Sequence, residues 1–70
     1  MMPLTLIKIG TTNSIKKLGG KTEVRQHLEK LGFIVGTPIT VISELSGNVI
    51  VCIKESRIAI SREMASKIMV

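Results

Sequence analysis

Glycine is the feature of this sequence that most limits its fold, because it interrupts the chain at short and repeated intervals. The six glycines are Gly10, Gly19, Gly20, Gly32, Gly36 and Gly47. The pieces that they separate are short, which favours strands and short helices over long ones. The chain has 70 residues, which leaves no room for a second hydrophobic core. We therefore expect one domain over residues 1–70.

The core of such a domain must be aliphatic. Hydrophobic residues make up 44% of the chain, and Phe33 is the only aromatic residue. β-branched residues are frequent, which favours strands. The apolar periodicity predicts a core made of Val24, Leu28, Leu31, Ile39, Val41, Val49, Val51, Ile53, Ile58 and Ile60.

The segments between the turn residues predict one strand, a helix, three meandering strands, a short helix and a terminal strand. In order, they span residues 11–18, 21–31, 39–44, 49–54, 57–60, 61–67 and 68–70. In the first strand, Ile15 and Leu18 are expected to face inward. Closing a small meander into a barrel removes the exposed strand edges that cause aggregation. We therefore predict a mainly β fold, a small barrel with two short helices.

The ends of the helices carry their own signals. Thr22 is the predicted N-cap of the first helix and Ser61 that of the second, since a hydroxyl can accept a hydrogen bond from an unpaired backbone N–H. Val24, Leu28 and Leu31 form one apolar stripe. Gly32 follows the first helix, where a left-handed residue is expected.

Three blocks of the sequence form a recognisable pattern. The first is Pro3-Leu4-Thr5-Leu6, with Gly10 after it and Gly19-Gly20 before the helix. The second is segment 28–41, Leu-Glu-Lys-Leu-Gly-Phe-Ile-Val-Gly-Thr-Pro-Ile-Thr-Val, and the third is segment 57–65, Arg-Ile-Ala-Ile-Ser-Arg-Glu-Met-Ala. Together they resemble the ferrous iron transport protein A family over essentially the whole chain. Ile50 and Cys52 depart from the family pattern, because those strand positions are often polar or charged in relatives.

The resemblance implies an SH3-like barrel and a cytoplasmic accessory protein of ferrous iron uptake, which is not an enzyme and has no cofactor. The partner that it implies is ferrous iron transport protein B, a membrane permease with a GTP-binding domain. Self-association is left open as a second kind of interaction. The same barrel resembles the C-terminal domain of iron-dependent repressors, although this chain has no room for their DNA-binding helices.

The residues themselves offer little for catalysis or metal binding. His27 and Cys52 are the only His and Cys, and no third group that would orient them is indicated. No phosphate-binding loop of the Gly-x4-Gly-Lys-Ser/Thr type is present. Glu23 and His27, four residues apart on the first helix, could supply two ligands of a weak metal site. A solvated helix flank explains this pair better, so we predict no tight intrinsic metal site.

Partner binding has better candidates. Strand alternation points Ile50 and Cys52 away from the core, and Ile42 lies on the neighbouring strand, so these residues could form an apolar strip. The alternative is that the first helix covers the strip. The other candidates are Leu4 and Leu6 near the start of the chain, and Arg57 and Arg62, which with Lys54 could frame an acidic partner.

The net charge of +5 leaves one alternative function. A basic domain can bind nucleic acid, so a basic SH3-like module that binds nucleic acid or regulates in response to iron stays open. Nucleic acid is not favoured, because the basic residues are scattered, with no run longer than Lys16-Lys17, and stacking aromatics are missing. No apolar stretch approaches the ~20 residues that cross a bilayer, so we expect no direct membrane insertion. The lone cysteine fits a reducing cytosol.

Overall fold

The computed structural model describes residues 1–70 and shows six short strands and two α-helices. The elements, in chain order, are a 3-10 helix Leu4–Leu6, β1 Thr12–Ser14, β2 Lys17–Leu18, α1 Thr22–Lys30, β3 Pro38–Leu45, β4 Asn48–Ile53, β5 Ser56–Ser61, α2 Arg62–Ala65 and β6 Ile68–Met69. This confirms the predicted mainly β fold with two short helices. The predicted order also holds, except that the first predicted strand is two strands and that the 3-10 helix was not predicted.

The break in that first strand occurs where the chain passes from one sheet to another. β1 pairs with β3 in a four-stranded antiparallel sheet of order β1-β3-β4-β5, whereas β2 pairs with β6 in a separate two-stranded sheet. Between them, the N–H of Ile15 donates to the carbonyl of Thr37 over 3.0 Å, and the N–H of Lys16 donates to that of Met69 over 2.8 Å. The hydrogen-bonding partner therefore changes within two residues, which a sequence pattern does not reveal.

The central strands follow the predicted alternation. On β4 the inward residues Val49, Val51 and Ile53 are 1%, 0% and 3% exposed. Two-residue turns connect β3 to β4 and β4 to β5, and both central residues of each turn have positive φ. This geometry matches the right-handed twist of the strands.

A β-bulge interrupts the alternation on β3. Val41 pairs with Val51, and the next pair is Ser43 with Ile50, so Ile42 has no partner of its own. An extra residue of this kind bends the strand and shifts the register. As a result Ser43, rather than Ile42, lies opposite Ile50.

The N-terminal end of α1 differs from prediction. Lys21 is the N-cap and makes no side-chain cap. Thr22 is the first helical residue instead, and its hydroxyl accepts a hydrogen bond from the guanidinium of Arg25 over 3.2 Å. The predicted cap of α2 is confirmed, because the N–H of Met64 donates to Ser61 Oγ over 3.1 Å.

The C-terminal end of α1 explains a second difference. Gly32 has a φ of +105°, as predicted. The N–H groups of Gly32 and Phe33 donate to the carbonyls of Glu29 and Leu28, each over 3.0 Å, which is the Schellman pattern. This reversal turns Phe33 into the core at 0% exposure, while Leu31, predicted to be in the core, is 36% exposed.

The core itself is a cluster of fourteen buried side chains from every part of the chain. They are Leu4, Ile15, Leu18, Leu28, Phe33, Ile39, Val41, Val49, Val51, Ile53, Ile60, Ala65, Ile68 and Val70. Val24 and Ile58 of the predicted core are half-buried against it. Leu4 is 1% exposed, so its prediction as a partner-binding residue is wrong. The 3-10 helix folds this side chain inward.

Candidate partner-binding surfaces

The outward face of β4 carries the predicted apolar residues. Cys52 lies between Thr40 on β3 and Arg57 on β5, and Ile50 lies between Ser43 and Ala59. We call these six residues the outer strip. Alternation places them on the face opposite to Val49, Val51 and Ile53, as predicted. Ile50 and Cys52 are nevertheless only half-exposed, because β4 has a neighbouring strand on each side.

The first helix does not cover the outer strip. Its buried residue Leu28 belongs to the core cluster on the inward side of the sheet. At the end of this helix, a side chain at Gly32 would come within 3.2 Å of Ile53 Cδ1, which is also inward. The strip therefore lacks a cover from α1, and its central residues stay half-exposed.

Of the basic residues that were predicted to frame a partner, Lys54 and Arg57 lie at the β4–β5 turn, but Arg62 lies apart from them. Arg57 is at the start of β5, next to Cys52, whereas Arg62 follows the other end of this strand. Arg62 forms a salt bridge to Glu44, with 2.6 Å between Nη1 and Oε1. An exposed pair of this kind stabilises by only ~0–1 kcal/mol, but it does neutralise Arg62 locally. Only Arg57, of these two, adds a free cation to the outer strip.

Exposed apolar side chains also lie near the start of the chain. Leu6 is 64% exposed and Ile9 is 54% exposed, in contrast to the buried Leu4. Leu6 therefore keeps its place among the candidates. Single exposed aliphatic residues are common on protein surfaces, so this position by itself does not define an interface.

A cleft of about 390 Å³ between β2 and α1 is a feature that the sequence did not predict. We call it the α1–β2 cleft. It is lined by Lys16, Lys17, Leu18, Thr22, Arg25, Gln26, Glu29 and Val35. Three of these residues are cationic and one is anionic. The doublet Lys16-Lys17 was the one sequence signal for this site, but its neighbours across the cleft come from a helix and a loop further along the chain.

The structure adds no further ligand to the predicted weak metal site. Glu23 and His27 are both exposed on α1. Nowhere in the chain do three or more His, Cys, Asp or Glu side chains form a group that could hold a metal ion. The geometry therefore adds no third ligand to these two residues.

Neither helix has the length and apolar character that crossing a bilayer requires.

Comparison with known proteins identifies the family. The FeoA domain matches residues 2–70. A protein of Methanocaldococcus jannaschii with the provisional name Fe(2+) transport protein A is 39% identical over 70 residues, which is 100% of this chain and 85% of that protein.

Solved structures agree with the fold. The crystal structure of an iron uptake regulatory protein, FeoA, superposes with a TM-score of 0.88 at 26% identity, covering 97% of this chain and 90% of that one. FeoA of Stenotrophomonas maltophilia, solved with zinc and described as a procaryotic SH3 domain protein, superposes with a TM-score of 0.76 at 19% identity, covering 99% of this chain and 88% of that one. The predicted SH3-like fold is confirmed. The match over residues 2–70 and the 39% identical relative show that this chain belongs to the FeoA domain family.

Proposed function

We propose that this chain is a cytoplasmic accessory protein of ferrous iron uptake that acts by binding a membrane iron permease with a GTP-binding domain. The observation that carries the proposal is the 39% identity, over the whole of this chain, to an Fe(2+) transport protein A. The name of that relative places it in ferrous iron transport. A chain of this fold and size can act in iron transport by binding other proteins through its surface.

The arrangement of the polar residues supports binding rather than catalysis. Cys52 faces outward on β4, whereas α1, which carries His27, packs through Leu28 on the inward side of the sheet. A Cys–His pair needs the two side chains within hydrogen-bond reach. Because Cys52 and the helix that carries His27 lie on opposite sides of the sheet, His27 is not placed to act as the base for a Cys52 nucleophile.

The outer strip is the surface that we assign to the permease. Its centre is apolar, at Ile50 and Cys52, and its edges are polar, at Thr40, Ser43 and Arg57. Because the two central side chains are already half-buried, covering the rest of them contributes about 1 kcal/mol in total. The strip therefore tunes a weak complex and needs further contacts around it to hold a partner.

The test introduces charge into the strip. Ala59 is exposed and lies directly opposite Ile50, so Ala59→Glu puts a carboxylate on the strip without disturbing the core. Ile50→Glu does the same at the centre. Pull-down of the permease's cytoplasmic GTP-binding domain should lose about tenfold in affinity with either variant, since a desolvated unpaired charge weakens an interface strongly. Circular dichroism reports whether the fold is kept.

Leu45→Glu is the matched control, because Leu45 is 69% exposed at the tip of the β3–β4 hairpin. It should bind like the wild type. Equal loss with all three variants would mean that the partner repels negative charge anywhere. Full binding by Ala59→Glu would remove the outer strip from the interface. Sedimentation of the same variants separates loss of self-association from loss of permease binding.

A further inference from the structure

The α1–β2 cleft has walls from three separate parts of the chain. Lys16 and Lys17 form one side, at and just before β2, and Arg25 lies on the facing side of α1. Leu18, which is 7% exposed, and Val35, which is 59% exposed, supply the apolar part of the lining. The cleft therefore combines an aliphatic surface with three cations, within a volume of about 390 Å³.

The three cations have no carboxylate partner. The salt bridge between Arg62 and Glu44 is the only one in the molecule. Glu29 lies four residues after Arg25 and also lines the cleft, yet it makes no ion pair with it. This order, with the base ahead of the acid, is the less favourable one along a helix. The guanidinium of Arg25 donates to Thr22 Oγ1 over 3.2 Å instead, so its charge is not neutralised.

The backbone around the cleft is already ordered. Lys16 is held by its hydrogen bond to Met69. The loop that carries Val35 is tied to Ile15 on both sides, since the N–H of Gly36 donates to the carbonyl of Ile15 over 2.8 Å and the N–H of Ile15 donates to that of Thr37 over 3.0 Å. A site whose backbone is fixed before binding loses less conformational freedom when it is filled.

We propose that the α1–β2 cleft binds an acidic segment of a partner protein. Carboxylates of the segment pair with Lys16, Lys17 and Arg25, and an apolar side chain between them packs mainly against Val35, because Leu18 is almost fully buried. Cationic lining explains the preference for acidic residues, and the aliphatic lining favours a peptide over a free anion. Nucleic acid is a poorer fit, since recognition of single strands relies on stacking and the only aromatic side chain, Phe33, is fully buried.

This proposal goes beyond the proposed function, because it needs neither iron nor the permease. The test uses a short fluorescein-labelled peptide of glutamates around a central leucine, measured by fluorescence anisotropy. The double variant K16E/R25E should bind about tenfold more weakly than the wild type, since it replaces two attractive charges with two repulsive ones. The affinity of the wild type should also fall steeply with added salt.

The charge-matched control is K8E/K30E. Lys8 and Lys30 are exposed and belong neither to the cleft lining nor to the outer strip, and their reversal changes the net charge by the same amount. This variant should lose no more than about twofold, through long-range screening alone. Equal weakening by the two double variants would show a response to net charge only and would overturn the proposal.

Two competitors test the chemistry of the ligand. If inorganic phosphate displaces the peptide stoichiometrically at low concentration, the cleft is a small-anion site and the proposal is wrong. If single-stranded RNA of matched charge binds more tightly than the peptide, and K16E/R25E abolishes that RNA binding, the cleft is a nucleic-acid site and the proposal is wrong. If K16E/R25E fails to fold by circular dichroism, K16Q/R25Q replaces it, and its binding should fall while that of K8Q/K30Q should not.

Discussion

The outer strip and the α1–β2 cleft are built in opposite ways. The strip is one face of adjacent antiparallel strands, so its neighbours are set by the register of two hairpins. The cleft joins β2, α1 and the loop around Val35, which are separated along the chain. The strip is apolar at its centre, at Ile50 and Cys52. The cleft is concave and lined by unpaired cations.

Because of this difference, the two surfaces differ in the interactions that they can still form with a partner. On the strip, strands on both sides of β4 have already buried much of Ile50 and Cys52, so little apolar area remains. In the cleft, the side chains of Lys16, Lys17 and Arg25 have found no carboxylate within the molecule. The strip therefore offers a small, salt-insensitive contribution, and the cleft a larger one that salt weakens.

The largest effect that separates the two regions should come from the core beneath them. Leu28 anchors the helical wall of the cleft, and Val51 lies behind the strip, and both are 0% exposed. Leu28→Ala should lower the free energy of unfolding by about 3 kcal/mol and Val51→Ala by about 2 kcal/mol, because each leaves a cavity and the first removes more carbon atoms. Chemical denaturation of the two variants measures both values.

The same variants then show which surface depends on which core residue. Under conditions where both variants are folded, Leu28→Ala should weaken binding of the acidic peptide to the cleft, while Val51→Ala should leave the affinity unchanged. A Leu28→Ala protein with wild-type stability would mean that α1 is not held through this side chain. A Val51→Ala protein with wild-type stability would contradict the assignment of the inward face of β4.

A smaller effect should come from the single acid in the cleft. Glu29 repels a carboxylate, so Glu29→Gln should tighten binding of the glutamate peptide about twofold to threefold, as expected for one exposed charge interaction. Glu55→Gln is the control, because Glu55 is exposed at the β4–β5 turn and its loss changes the net charge equally. Weaker binding by Glu29→Gln would show that Glu29 positions the cations rather than opposing the ligand.

The strip could be predicted from the sequence, whereas the cleft could not. Alternation in Val49-Ile50-Val51-Cys52-Ile53 is a local pattern, and a strand converts it directly into two faces. The bulge at Ile42 shows the limit of this argument, because it depends on how two strands pair and not on the composition of either. Ile42 was placed beside Ile50, and Ser43 takes that position.

The residues of the cleft are brought together by contacts that no local pattern encodes. Lys16 is placed by a hydrogen bond to Met69 near the other end of the chain, at the point where the predicted first strand divides. Phe33 illustrates the same difficulty, since it follows the predicted first helix and is absent from the predicted core. The Schellman motif at Gly32 is the signal that could have placed Phe33 in the core, because the residue after the glycine commonly packs back on the helix. The apolar residue at that position could have been predicted as core.

Ferrous iron itself should have the smallest effect on either surface. Glu23 and His27 provide two ligands on one exposed helix flank, and a transition metal ion needs more donors than this for firm binding. Anaerobic calorimetry should show no site tighter than about 10 μM, roughly −7 kcal/mol, and His27→Ala should give the same trace as the wild type. A stoichiometric, tighter isotherm that His27→Ala abolishes would contradict this.

Binding of the acidic peptide at the cleft should likewise be the same with and without the metal, because neither Glu23 nor His27 lines the cleft. A shift in peptide affinity on adding iron would couple the helix flank to the cleft, and would show that the metal regulates binding by this protein.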